Sequence, residues 1–195
     1  MRPFLIAAVA SLALLPAVAY AQAQKPAATQ KPAAAATQKP AEKAPEKKDA
    51  HIGHYGDWDV FEGAEGKSKV WYMATIAKET KGAAPRKDKS YVMVMHRPAA
   101  KNLGVVSVTS GYAFKDKSEP VAEIGTEKLN LYTSAKTPDT AWAFEDAKVI
   151  QAMLKGQTMV VKGTPAKGDA ATDTYSLNGI SKAYQELNKA CGVKS

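Results

Sequence analysis

The chain of 195 residues contains a single cysteine, Cys191, and only three histidines, His51, His54 and His96. One cysteine excludes a Cys-x-x-Cys redox pair and leaves no partner for an intrachain disulfide. No G-x-S-x-G, P-loop, dinucleotide-binding fingerprint or H-E-x-x-H stretch occurs. Ser90, Ser107, Ser110 and Ser176 have no histidine beside them in sequence, although triads assemble in space. The reading is therefore of a non-enzymatic protein without a cofactor, a metal or a catalytic residue. His51 and His54 in "HIGH", with Asp57 close by, have the ligand chemistry for a metal. They lie at a junction containing Gly53 and Gly56, where nothing preorganises them, so solvated residues are expected. His96 precedes Arg97-Pro98 at a strand end and is expected at the surface.

Concentrated charge is also missing. The net charge is +8. Arg2 and a short lysine-rich segment carry half of it, leaving a mild +4 over residues 51–195. That is far from the basic footprint of a nucleic-acid binder, so no nucleic-acid partner is expected. No apolar run is long enough for a permanent membrane span, which needs ~20 residues.

What the front of the chain does have is the layout of a secretory signal peptide. Arg2 is followed by "FLIAAVASLALLPAVAYAQA", with small residues at Ala19, Ala21 and Ala23. Residues 1–23 are read as a cleaved signal, and the mature protein as periplasmic or associated with the outer surface, with no integral span. Residues 24–50 repeat Ala-Thr-Gln-Lys-Pro, with six lysines against Glu42, Glu46 and Asp49. Recurrent proline blocks helix, and little here can be buried, so a disordered, extended tether is expected. It serves as a spacer or as a basic reach toward anionic envelope material.

Residues 51–195 have the size of one domain and can bury about two-thirds of their unfolded surface without disulfides. Segments such as "GDWDVFEG", "SKVWYMATIA", "SYVMVMHRP", "GVVSVTSGY", "KLNLYTS", "TMVVKGT" and "DTYSLNG" alternate or are rich in β-formers. Their spacing suits an all-β antiparallel sandwich or flattened barrel better than βαβ units. Two helices interrupt the pattern. In Phe144–Gly156, Ala147, Ile150, Met153 and Leu154 make an apolar stripe. Near the C-terminus, Ile180, Ala183, Tyr184, Leu187 and Cys191 fall on one face, while Ser181, Lys182, Gln185, Glu186, Asn188 and Lys189 fall away from it. Gly192 is placed to end that helix. A reactive thiolate favours a helix N-terminus or nearby cations, and Cys191 sits at the opposite end. It is expected to be buried as a small apolar residue, or partly exposed and paired between molecules.

The candidate contact residues lie in "AKETKGAAPRKDKS", residues 77–90. There Lys78, Lys81, Arg86, Lys87 and Lys89 outweigh Glu79 and Asp88. The stretch is a solvated connection or a contact loop for an anionic partner. Trp58, Trp71, Tyr112, Phe114 and Trp142 sit at strand spacing, where aromatics serve as core or line a ligand face.

"YGDWDVF", "YVMVMHRP", "SGYAFK", the stretch from "AWAFEDAKV" to "SLNGISKA", and "NKACG" together resemble the invasion-associated locus B family of exported alphaproteobacterial proteins. The likeness runs over nearly all of residues 51–192. It implies an envelope interaction module connected with host-cell association or invasion, acting on an unknown protein or envelope component, as a monomer or weak homodimer. A periplasmic small-ligand or glycan-binding sandwich is the alternative. Members of the family carry a cysteine in the strand after GDW, where Trp71 stands here, and a second near the C-terminus. The resemblance thus implies that Cys191 is half of a lost disulfide, with the Trp71 indole packed where the other sulfur was.

Overall fold

The computed structural model describes residues 49–193. The expected signal peptide and residues 24–48 of the expected tether lie outside the described residues. Alternation turns sequence into strands throughout. Ala171, Asp173 and Tyr175 are buried while Thr172, Thr174 and Ser176 are half-buried, the two-residue period of a strand with one face on a core. Eleven strands form among the described residues: β1 (Ala50–Tyr55), β2 (Trp58–Glu65), β3 (Ser68–Ile76), β4 (Glu79–Lys81), β5 (Tyr91–Arg97), β6 (Asn102–Thr109), β7 (Val121–Ile124), β8 (Glu127–Ser134), β9 (Thr137–Ala143), β10 (Thr158–Gly163) and β11 (Ala171–Ser176). The helices are α1 (Asp146–Lys155) and α2 (Ile180–Cys191).

Every pairing is antiparallel, in the order β1-β2-β3-β5-β6-β9-β8-β7-β10-β11-β4. Strand β8 carries the sheet from one layer to the other. Its first half, Glu127–Asn130, pairs with β7, and Leu131–Ser134 pair with β9. The rims are joined where β11 meets the start of β2 and the end of β3. The Trp58 indole N–H donates to the Ser176 carbonyl at 3.2 Å. The Asp57 and Lys78 amides donate to the carbonyls of Asn178 and Thr174 at 3.0 and 2.8 Å. This is the expected all-β antiparallel sandwich with a short helix and a C-terminal helix on the sheet. Between the layers lie Val60, Met73, Val92, Val94, Val106 and Val108 from one side, and Ala122, Leu129, Met159, Val161 and Tyr175 from the other.

Several expectations need correction. The "HIGH" stretch is not a junction but the edge strand β1, paired with β2. In α1 the buried side is Val149, Ile150, Ala152 and Met153, with Ala147 exposed. The helix starts two residues after Phe144, and its Asp146 carboxylate accepts the Val106 amide at 2.8 Å, which fixes its rotation against β6. In α2 the apolar face is as expected, but Asn188 also lies buried, not turned away. Gly192, at φ 72°, ends α2, and the Val193 amide returns to the Asn188 carbonyl. Only glycine takes that left-handed turn without strain.

Candidate functional site

The layer β2-β3-β5-β6 has two faces. One is the core. On the other, the side chains of Phe61, Ala74, Ile76, Tyr91 and Thr109 succeed one another across the strands, because Ala74 pairs with Asp59, Ile76 with Tyr91 and Tyr91 with Thr109. They floor a groove of about 940 Å³, within the size range of ligand sites. Ile76 is 52% exposed at its centre. The rim is charged. Asp57, Asp59, Asp88 and Asp139 face Lys78 and Lys89, with His54 at one end. A cationic domain therefore presents an acid-rich groove.

Local structure explains each rim group. Between His51 and Gly53 the β1 register shifts by one residue, a β-bulge. Without it, residues three apart would point to opposite faces. With it, His51 Nε2 and His54 Nδ1 both meet Asp59 Oδ1, at 2.8 and 3.0 Å. Burial pushes the Asp59 carboxyl up, and hydrogen bonds from both imidazoles outweigh it, so it ends below its usual range. Asp57, the sequence candidate for a third ligand, is engaged elsewhere. Lys78 Nζ donates to its Oδ1 at 2.6 Å, and Ser176 Oγ to its Oδ2 at 2.6 Å. Lys78 and then Ser176 hold the carboxyl below its ordinary value.

The basic loop divides into different environments. Arg86 is internal: its guanidinium bridges both oxygens of Asp173, which is 1% exposed, at 2.6 and 3.1 Å. It also donates to the Ser110 carbonyl and lies 4.8 Å from the Tyr112 ring centroid. Ser90 completes this knot, donating to Asp173 Oδ2 at 2.8 Å beside the Tyr175 hydroxyl. Burial is the main cause that raises the Tyr112 hydroxyl to about 12. Lys78 pairs with Asp57, and Lys81 with Glu79 at 3.1 Å. Lys87 and Lys89 are exposed and flank a smaller hollow of about 570 Å³ that shares Ile76, Asp88 and Lys89 with the groove. The loop is thus a part-structural element bordering the groove, not a uniform cationic patch.

His96 departs furthest from expectation, being 1% exposed rather than at the surface. The Gly104 amide donates to its Nδ1 at 2.8 Å, which leaves the proton on Nε2 to donate to Asn188 Oδ1 at 2.8 Å. Burial is the main cause that lowers its pKa. Trp71 pairs with His96 across β3 and β5, shares its core-facing side, and is half-buried against the core. Asn188 precedes Cys191 by one helical turn. The His96–Asn188 bond therefore joins α2 to β5, with Trp71 beside His96 on the neighbouring strand. Cys191 is half-buried, and burial pushes its thiol up. The other aromatics, Trp58, Tyr112 and Phe114, are core, and Trp142 is half-buried, its indole N–H donating to Thr137 Oγ1 at 3.2 Å.

Sequence inspection missed the groove because its floor joins residues from four strands. The alternation of β3 and β5 was the available signal, since it assigns Ala74, Ile76 and Tyr91 to the face opposite Met73, Val92 and Val94. Among the described residues, no helix is long and apolar enough to cross a membrane.

No curated protein is a significant match to the sequence. Among solved structures, the crystal structure of invasion associated protein b from Bartonella henselae is similar at 16% identity and a TM-score of 0.49, covering 72% of this chain and 96% of that one. The family model for the invasion associated locus B (IalB) protein matches residues 63–188, from the end of β2 into the last turn of α2, and the chain belongs to that family.

Proposed function

We propose that this is a non-enzymatic interaction module of the bacterial envelope, exported by residues 1–23, that recognises its partner through the groove on the outer face of β2-β3-β5-β6. The groove carries the reading. It combines an exposed apolar and aromatic floor with a charged rim in which Asp57 and Asp59 are held by hydrogen bonds, the composition of a recognition surface. The potential nucleophiles support a binding role. Ser90 and Ser110 are each 1% exposed and hydrogen-bonded internally, and Ser176 is bound to Asp57. The described imidazoles bond to Asp59, Asn188 and the Gly104 amide. The invasion-associated name of the family supports a search for the partner at the envelope or on a host surface.

A glycan is the second reading, favoured by one feature. The Phe61 ring stacks on Tyr72 at 5.0 Å and 20°, beside the carboxylate of Asp59, and a flat aromatic wall next to acceptors suits a sugar ring. The test is affinity capture from native envelope and host-membrane extracts, with the mature chain and with Ile76→Glu and Tyr91→Ala in it as bait. A protein retained by the parent and lost from both variants supports the reading. A partner set unchanged by either variant refutes it, and retention of soluble glycans in place of protein establishes the second reading.

A further inference from the structure

We propose that the outer face of the β2-β3-β5-β6-β9-β8 layer binds a second copy of this chain, the Ile76 end of each copy lying on the Tyr132–Phe144 end of the other. The proposal rests on the groove being part of a recognition surface and names an occupant for that face. Three observations carry it.

The first is composition. The solvated face of an antiparallel sheet is ordinarily polar. Here one register row crosses six strands as Asp59, Ala74, Met93, Ser107, Trp142 and Tyr132. The row beside it runs Phe61, Tyr72, Met95 and Val105. Asp59, at the edge, is the only charged residue in either row. Strand β5 sets this pattern: Val92 and Val94 point into the core while Tyr91, Met93 and Met95 point outward. A strand that is apolar on both sides is the kind that lies covered on both sides.

The second is that the face complements itself. Tyr132 and Phe144 are 40% and 58% exposed, with ring centroids 5.0 Å apart. They stand at the other end of the face from the exposed Ile76, about 19 Å away at four strand spacings. The half-buried Met93 and Trp142 lie between. Two unlike ends of one face pair twice when a two-fold axis relates the copies. Their charges differ in sign as well. The groove end carries four carboxylates against two lysines, whereas the hollow beside Phe144 carries Lys128 and Lys148 against Glu145. The third is area. Three rows deep across six strands, the face amounts to roughly 500 Å² per copy, or about 1,000 Å² between two copies. That is the low end of specific interfaces and corresponds to a reversible dimer, with a Kd on the order of 10–100 µM.

The test is sedimentation velocity of the mature chain from ~5 to ~500 µM, a range that brackets such a Kd. Reductant is present, so that no Cys191 disulfide contributes. The expected result is a mass that rises from one chain toward two. Ile76→Glu and Phe144→Lys, each at an exposed position, are expected to raise the Kd at least ~10-fold when measured singly. Mixing the two variants is expected to restore association, because one contact then pairs Glu with Lys and the other keeps the parent Ile76 and Phe144. A parent chain that stays monomeric to ~500 µM, about tenfold above that Kd, overturns the proposal. A dimer indifferent to both variants, or a mixture that does not recover, overturns it as well. None of these outcomes touches the groove reading, which stands or falls on capture by the Ile76→Glu and Tyr91→Ala variants.

Discussion

The bond between His96 and Asn188 ties the last helix to the sheet, and cutting it has a calculable cost. In Asn188→Ala, the His96 Nε2–H keeps its place in a site 1% exposed and loses its acceptor. A buried donor left without a partner costs about 1–3 kcal/mol. For a domain of this size, each kcal/mol moves the melting temperature by roughly 4 °C, so a fall of about 4–12 °C is expected. Replacing both partners, as His96→Leu with Asn188→Leu, removes the orphan and restores most of the loss. Guanidinium and thermal unfolding of residues 49–195, followed by tryptophan fluorescence, measure the free-energy loss and the melting shift of both variants, with Gln185→Ala on the exposed side of α2 as the control. Surface changes of that kind stay within about 0.5 kcal/mol. The argument also fixes a pH dependence. Both ring nitrogens of His96 are engaged in the neutral form, and burial lowers its pKa below the ordinary 6.5. The unfolded chain takes up a proton near 6.5 while the folded chain does not, so this stability is complete above pH 6.5 and declines as pH falls below it. Comparing the parent with His96→Leu between pH 7 and 5 isolates that slope from the other two histidines. The reasoning is refuted if Asn188→Ala behaves like Gln185→Ala, or if the two pH profiles run parallel.

Other outcomes follow from the same contacts. Arg86→Met strands the buried Asp173 carboxylate and is expected to cost about 3–5 kcal/mol, whereas Lys87→Ala and Lys89→Ala stay within about 0.5 kcal/mol; urea titration separates them, and equal effects refute the division of the loop. Thiol titration of denatured, non-reduced protein is expected to find one thiol per chain. Trp71→Cys, placed opposite His96, is expected to close a cross-link with Cys191 on mild oxidation. On the chain-entropy account, a loop of ~120 residues contributes about 4–5 kcal/mol, partly offset by the lost indole packing. Two thiols still titrating after oxidation exclude the disulfide that the family likeness implies. Capture with the groove variants, described above, tests recognition itself.

How much of this could be read from residues alone differs by element. Strands β2, β3, β5, β6, β8, β10 and β11 announce themselves through β-formers and two-residue alternation. Strand β9 is hidden because Pro138 and Asp139 read as a turn, yet Pro138 sits near the strand's start, where a missing amide does little harm. Strand β1 is hidden by its bulge, which breaks the alternation that would reveal it. His96 ends an otherwise apolar run, and only the approach of α2 and the Gly104 amide makes it a buried residue. Asn188 shows why polarity misleads here: a side chain that caps a buried imidazole is as internal as a leucine.

The sequence by itself determined the β class, the helical face carrying Ile180, Ala183 and Leu187, and the isolation of Cys191. These are local properties, set by composition and by periods of 2 and 3.6 residues. Tertiary structure alone decided that Arg86 turns inward to Asp173, that two histidines three residues apart share one carboxylate, and that Phe61, Ile76 and Tyr91 meet in one groove. Each of those depends on register between strands far apart in the chain, and register is settled only when all the layers pack at once.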